Sequence, residues 1–177
     1  SVLVMTDKEE TGSDGNTGLC SSYLQYFIAD LAAAFGQEAR TVLSHSRCLS
    51  ADVNAAFDPT FPDVLDPRNA AFLNYGVVVT KFTGARGKSG TSDASAEFVA
   101  TIRNLMDENQ IIWQTGELGK VDMGGGGTVA LYIANMDVDT IDVGVPVMSM
   151  HAPMEVVAKI DVYMAYKAFL AFISDKT

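Results

Sequence analysis

Two adjacent carboxylates, Glu9 and Glu10, stand just after the apolar run Val2-Leu3-Val4-Met5 and just ahead of a loop of Thr, Gly, Ser, Asp and Asn. Neighbouring side chains of an extended segment point to opposite faces. The pair can therefore divide two tasks, one carboxylate holding a cation and the other facing a water. Asp52, which closes Ser50-Ala51-Asp52, and His151, which follows Val147-Met148-Ser149-Met150, have matching chemistry. Carboxylates and a neutral imidazole are what a zinc-like ion accepts at a hydrolytic site, and a spare glutamate is a competent base toward bound water. Each residue taken singly has a plainer explanation. Glu9-Glu10 reads as a solvated charge run, Asp52 as a turn cap, and His151 as a hydrogen-bonded residue near a helix start, since short motifs often match by chance.

What gives the four residues weight is the elements that must position them. Val2 to Thr6 is expected as a short central strand, too continuously apolar for a half-exposed one. Leu19, Tyr23, Phe27, Leu31 and Phe35 recur every four residues and predict an amphipathic helix that stops at Gly36. Thr41 to Leu49 reads as a strand carrying His45 and ending in Ser50-Ala51-Asp52. An irregular, proline-containing excursion then leads to a strand at Gly76 to Phe82 and a mobile basic loop from Thr83 to Ser92. A helix capped by Ser92 or Asp93 is expected to run to about Glu108, with Ala96, Val99, Ile102, Leu105 and Met106 buried. Ile111 to Trp113 is the next strand, and Gly124 to Thr128 opens a short helix to Met136. Strands at Thr140 to Val143 and Val145 to Met150 precede a last helix, Glu155 to Ile173, burying Val156, Ile160, Met164, Phe169 and Ile173 or close neighbours. Alternating strands and helices predict an α/β layered fold with a mostly parallel sheet and helices on both faces. Sites in such folds collect at the carboxyl ends of strands. Glu9-Glu10, Asp52 and His151 each follow a predicted strand, so all four should converge on one rim.

Composition narrows the function. The 177 residues suit one domain with a real core, nearly half of them apolar and without charge blocks. Twelve basic against twenty-two acidic residues leave a net charge of −10. That argues against a nucleic-acid partner, which needs clustered Lys and Arg, and is compatible with a site for divalent cations. Cys20 and Cys48 lack metal-ligand spacing and read as reduced core residues of a cytoplasmic protein. No apolar run is long enough for a membrane span. The chain opens on its first predicted strand without an initiator Met, as a cut through a larger protein would.

Taken jointly, Asp7-Lys8-Glu9-Glu10-Thr11-Gly12-Ser13, Ser50-Ala51-Asp52, the glycine run before Thr128 and Ser149-Met150-His151-Ala152-Pro153-Met154-Glu155 resemble the M18 family of metalloaminopeptidases, aspartyl aminopeptidase-like. Arg86-Gly87-Lys88-Ser89-Gly90 and Trp113-Gln114-Thr115-Gly116-Glu117-Leu118-Gly119-Lys120 look like the bacterial branch. The resemblance covers essentially the whole chain. It implies a three-layer α/β/α sandwich with a mostly parallel, mixed sheet of the zinc-exopeptidase (phosphorylase/hydrolase-like) type, incomplete here. Residues 1–177 would be the carboxy-terminal portion of one catalytic domain, with the upstream part and the dimerisation domain absent.

By the same resemblance Glu9 would be the general base, Glu10 and His151 ligands of one metal, and Asp52 a ligand of a second. The cofactors would be two divalent ions, zinc first, with manganese or cobalt fitting the same ligands. Lys81, Arg86 and Lys88 would face an acidic substrate side chain, and Gly125, Gly126 and Gly127 would bring backbone N–H groups to the substrate. The implied activity is removal of amino-terminal, preferentially acidic, residues from peptides by metal-activated water, within a closed dodecamer. Upstream ligands expected in the family lie outside this sequence, and where some members carry histidines after the Ser-Ala-Asp aspartate, this chain reads Asn54-Ala55-Ala56-Phe57-Asp58. A competing reading is a catalytically incomplete scaffold fragment that acts only within an oligomer. A phosphate-binding module built on Gly124 to Thr128 ranks far behind, lacking the Gly-Lys-Ser/Thr ending of a P-loop.

Overall fold

The computed structural model describes residues 1–175. Its backbone frame is a sheet of strands β1 (Arg47–Ser50), β3 (Val77–Thr80), β6 (Trp113–Thr115) and β7 (Asp139–Gly144), in the order β1-β7-β3-β6. β1 runs parallel to β7 and β3 parallel to β6, while β3 and β7 are antiparallel, so the sheet is mixed. Val77, Val78 and Val79 are essentially without solvent exposure, as expected of a strand covered on both faces. β2 (Asn54–Ala55), β8 (Pro146–Met148) and β9 (Val156–Val157) form a smaller sheet, and β4 (Phe82–Ala85) pairs with β5 (Ser89–Asp93) as a hairpin.

Helices α3 (Ala96–Glu108) and α5 (Lys159–Ser174) cover one face of the main sheet. Phe98, Ile102 and Met106, four residues apart on α3, meet Val77, Val79, Ile141 and Val143 from the sheet and Met164, Ala165 and Ala168 from α5. Burying each large side chain there contributes about 2 kcal/mol by apolar transfer. Ser95 caps α3, its hydroxyl accepting the Phe98 N–H at 3.1 Å, two or three positions after the caps expected from sequence. On the other face Gly116 lies against Val78, and α4 (Ala130–Ala134) packs against β7. Helices α1 (Tyr23–Ala34) and α2 (Ala39–Ser44) pack on one another beside this frame.

Several expectations are corrected. Val2 to Thr6 pairs with no strand, and Leu3 and Met5 are more than four-fifths exposed. An apolar run becomes a strand only where a neighbour accepts its backbone hydrogen bonds. The stripe on α1 is likewise open, with Tyr23 at 74% and Phe35 at 76% exposure. Thr41 to Leu49 divides into the end of α2 and then β1, because Thr41 and Val42 donate to the Glu38 carbonyl in a helical turn. Thr83 to Ser92 is not a plain loop: Arg86 and Lys88 lie at the turn of the β4–β5 hairpin, where Arg86 and Gly87 hold positive φ. The final helix begins at Lys159, since Val156–Val157 is drawn off to pair with β8; Val156, Ile160 and Ile173 are exposed, and Asp161 is buried in their place. Cys20 is exposed, Cys48 half-buried, and both are free thiols. No described helix is long and apolar enough to cross a membrane.

Candidate metal and active site

Glu9 and Glu10 sit in a single 3₁₀ turn, Glu9–Thr11, and not at a strand's end. Lys8 (φ 63°) and Gly12 (φ 100°) bracket that turn in left-handed conformations, and the Lys8 carbonyl accepts the N–H groups of Thr11 and Ser13. Ser13 is 2% exposed. The bare Cα of Gly18 packs directly on the Ser13 carbonyl, so no side chain fits there. The turn is anchored to α4 by the Tyr132 hydroxyl, which donates to the Gly12 carbonyl at 3.4 Å.

Asp52 follows β1, and its Oδ1 accepts the Val53 N–H at 2.8 Å. The backbone between β7 and β8 runs so close to the Asp52 carbonyl that Gly144 has no room for a Cβ. His151 follows β8 in a tight turn where it and Ser149 both hold positive φ. Its own N–H is received by Glu155 Oε1 at 2.6 Å.

From these separate elements the side chains approach one another. His151 Nε2 lies 3.3 Å from Glu10 Oε2. Glu9 titrates above its ordinary value, first through burial, then through the negative charges of Asp52 and Glu10, with His151 opposing. Asp52 is also raised, chiefly by burial; the Val53 N–H and His151 oppose the rise and Glu10 adds to it. Three carboxylates in mutual repulsion around one imidazole form an environment that a cation relieves. In kind, this donor set fits a zinc-like ion. In number it falls short: among the described residues no three His, Cys, Asp or Glu side chains group closely enough to enclose an ion.

The residues expected at the substrate lie elsewhere. Lys81 is paired with Asp93 at the mouth of the hairpin, and Arg86 and Lys88 point to solvent. Among the described residues no ion pair or hydrogen bond connects them to Glu9, Glu10, Asp52 or His151. The glycine run lies along β4: the Gly84 N–H donates to the Gly126 carbonyl at 2.9 Å and the Arg86 N–H to the Gly124 carbonyl at 2.8 Å. Gly125 (φ 98°) abuts the Gly84 carbonyl, and Gly127 the Gly90 carbonyl. These glycines permit close packing of the hairpin against the loop before α4.

The family described as "Aminopeptidase I zinc metalloprotease (M18)" matches residues 1–173. The chain belongs to the M18 family. It is 43% identical to the probable M18 family aminopeptidase 1 of Clostridium acetobutylicum, over 98% of this chain and 38% of that protein. It is 47% identical to the namesake in Borreliella burgdorferi, over 97% of this chain and 39% of that one. The crystal structure of the Clostridium acetobutylicum aminopeptidase I superposes with a TM-score of 0.89, covering 96% of this chain and 37% of the other. The M18 aminopeptidase from Thermotoga maritima, 42% identical, superposes at 0.90 over 95% and 38%. The chain thus spans under two-fifths of the length of these relatives.

Behind the rim of this M18 chain lies a polar group that the motifs do not announce. Asp142, on β7, is 5% exposed and receives the Thr128 hydroxyl on Oδ2 at 2.8 Å. Burial pushes its carboxyl up to about 6; Ser50 and Thr128 oppose the rise and the charge of Asp52 adds to it. Ser50 Oγ, Asn54 Oδ1 and Asp142 Oδ1 are buried without a hydrogen-bond partner of good geometry, although Ser50 is near enough to Asp142 to influence it. A second buried carboxylate, Asp161 on the first turn of α5, accepts the N–H groups of Asn74 and Gly76, each at 2.8 Å. The signal for Asp142 is present in the sequence as an acid inside the apolar strand Thr140-Ile141-Asp142-Val143. Asp161 gives none, since it resembles any polar residue on an amphipathic helix.

Proposed function

We propose that this protein is a metal-dependent aminopeptidase in which Glu10 and His151 hold one divalent ion, Asp52 serves a second, and Glu9 is the general base. The observation that carries the reading is the 3.3 Å approach of His151 Nε2 to Glu10 Oε2 beside two further carboxylates, in a chain of the M18 family. Zinc is the ion the family description favours; manganese and cobalt suit the same donors. Such an ion supplies Lewis acidity, polarising a carbonyl and making water acidic near neutral pH.

The chain's own residues do the rest. Glu9, held one residue from Glu10 by the 3₁₀ turn, takes the proton of the attacking water and returns it to the leaving amine. Its raised affinity for a proton suits both halves of that cycle. The Glu155 carboxylate fixes the His151 backbone, so the imidazole is aimed before any ion arrives. Glu10 and His151 are two ligands where a catalytic zinc usually keeps three. We infer that side chains beyond the described residues, from another part of the polypeptide or another subunit, complete the site. A contribution made only inside a homo-oligomer is the second reading, favoured by that shortfall in donors. Peptides are the substrates in either case, and the compartment we propose is the cytoplasm.

Purified protein should be analysed for metal and assayed on amino-terminal aminoacyl anilides. The expected result is turnover that chelation abolishes and zinc, manganese or cobalt restores. Turnover indifferent to chelation, in protein shown to be free of metal, would overturn the assignment.

A further inference from the structure

Asp142 sits between Ile141 and Val143, whose side chains belong to the core beneath α3 and α5, so strand alternation turns its carboxylate to the α4 face of the sheet. Strand register sets Ser50 opposite Asp142 on one side and Thr80 opposite it on the other. Asn54 joins this row through its Nδ2, which donates to Thr80 Oγ1 at 2.9 Å, and Thr128 joins it through the hydroxyl it donates to Asp142. All five residues are less than a tenth exposed. A buried polar row is no more stabilising than well-packed apolar side chains would be. What it does fix is the segment that carries Asp52. Ser50 and Asn54 stand two residues before and two residues after Asp52, at the two ends of the crossing from β1 to β2. The Asn54 N–H donates to the Val145 carbonyl at 3.0 Å, and Gly144, two residues after Asp142, abuts the Asp52 carbonyl. The Val53 N–H then engages Asp52 Oδ1 and fixes the direction of the carboxylate.

We infer that Asp142 and Thr128 are positioning residues for the metal rim, holding the Ser50–Asn54 segment so that the Asp52 carboxylate is aimed before any ion arrives. The inference rests on the reading of Asp52 as a metal ligand. Thr128 gives the pair its direction, because its hydroxyl donates to Asp142 Oδ2 while accepting the Ala130 N–H at 3.3 Å, where α4 begins. From the same short helix Tyr132 reaches the Gly12 carbonyl, at the end of the turn that carries Glu9 and Glu10. α4 therefore ties the strand pair behind Asp52 to the turn that holds the other two carboxylates. A ligand oriented by fixed neighbours binds its ion more tightly than a loose one. Loss of such a neighbour typically lowers metal affinity about ten- to a hundredfold.

The full-length protein, freed of metal, is titrated with zinc by equilibrium dialysis under conditions where urea unfolding shows each variant to be folded. Asp52→Asn marks the zinc equivalent that Asp52 serves. Thr128→Val should weaken that equivalent about ten- to a hundredfold, Asp142→Val should weaken it at least as much, and Thr128→Ser should restore it. Thr128→Val changes no charge, so its loss reports position and not field; Thr128→Ala replaces it if it does not fold. A merely structural pair would lower the urea midpoint and leave the zinc affinity of the folded protein unchanged. Parental affinity in Thr128→Val, with Asp52→Asn weakened, would overturn the inference and leave Asp52 a ligand. Parental affinity in Asp52→Asn would instead end the ligand reading, and the segment is then judged alone. Hydrogen exchange at the Val53 and Asn54 amides of metal-free protein should quicken several-fold in Thr128→Val and not in Thr128→Ser; unchanged exchange would refute the positioning role.

Discussion

His151 Nε2 lies 3.3 Å from Glu10 Oε2, although the two residues come from opposite ends of the chain and from unrelated turns. Both side chains are more than two-thirds exposed. As a surface ion pair the contact would contribute little to stability, about 0–1 kcal/mol. Its significance is that it brings two metal-compatible donors to one point, flanked by Glu9 and Asp52.

Glu9 and Glu10 should separate on mutation. Glu9→Gln is expected to keep bound metal and lower turnover about a hundredfold or more, the usual cost of removing a general base. Glu10→Gln should lose metal, because an amide is a poorer ligand than a carboxylate. Metal content measured beside kcat distinguishes the two, and the opposite pattern would exchange their roles.

In metal-free protein the titration of Glu9 should report its neighbours. Its carboxyl is raised by burial and by Asp52 and Glu10, and lowered by His151. Asp52→Asn removes a repulsion, so Glu9 should titrate at lower pH; His151→Ala removes the opposing positive charge, so it should titrate higher. Carboxyl carbon NMR with chelator present reads both shifts, and an unmoved Glu9 would mean the groups are insulated by solvent.

Asp142 should make stability depend on pH. Its value of about 6 when folded lies above the ordinary 3.8, so the folded state binds that proton more tightly. The resulting stabilisation is complete below about pH 4 and is lost as pH rises through about 6, an effect of about 3 kcal/mol at most. Asp142→Asn, which stays neutral, should flatten the curve across that window. Urea unfolding at a series of pH values, again without metal, tests it; equal slopes in both proteins would refute the assignment.

Asp161→Ala should destabilise the fold by about 2–3 kcal/mol, since it strips the acceptors from the buried Gly76 N–H and the part-buried Asn74 N–H. Asp161→Asn retains one carbonyl oxygen and should recover part of the loss. Denaturant midpoints of the three proteins decide the order.

The sequence by itself determined the elements whose register is written locally. The run Val77-Val78-Val79 can only be a covered strand, and the spacing of Ile102 and Met106, with Phe98 one turn earlier, selects the buried face of α3. It also determined the family, because the order of several short motifs along the chain carries information that no single motif does. Tertiary structure decided the rest. Val2 to Thr6 and the α1 stripe have the composition of buried elements, yet burial requires a partner surface, and among the described residues they remain largely exposed. Lys81 looked free to meet an acidic ligand until the hairpin folded Asp93 against it. Asp142 and Asp161 are acids whose meaning depends on which hydroxyl or backbone N–H groups arrive from distant segments. Pattern along a chain reports which face a residue presents; only packing in three dimensions reports what that face meets.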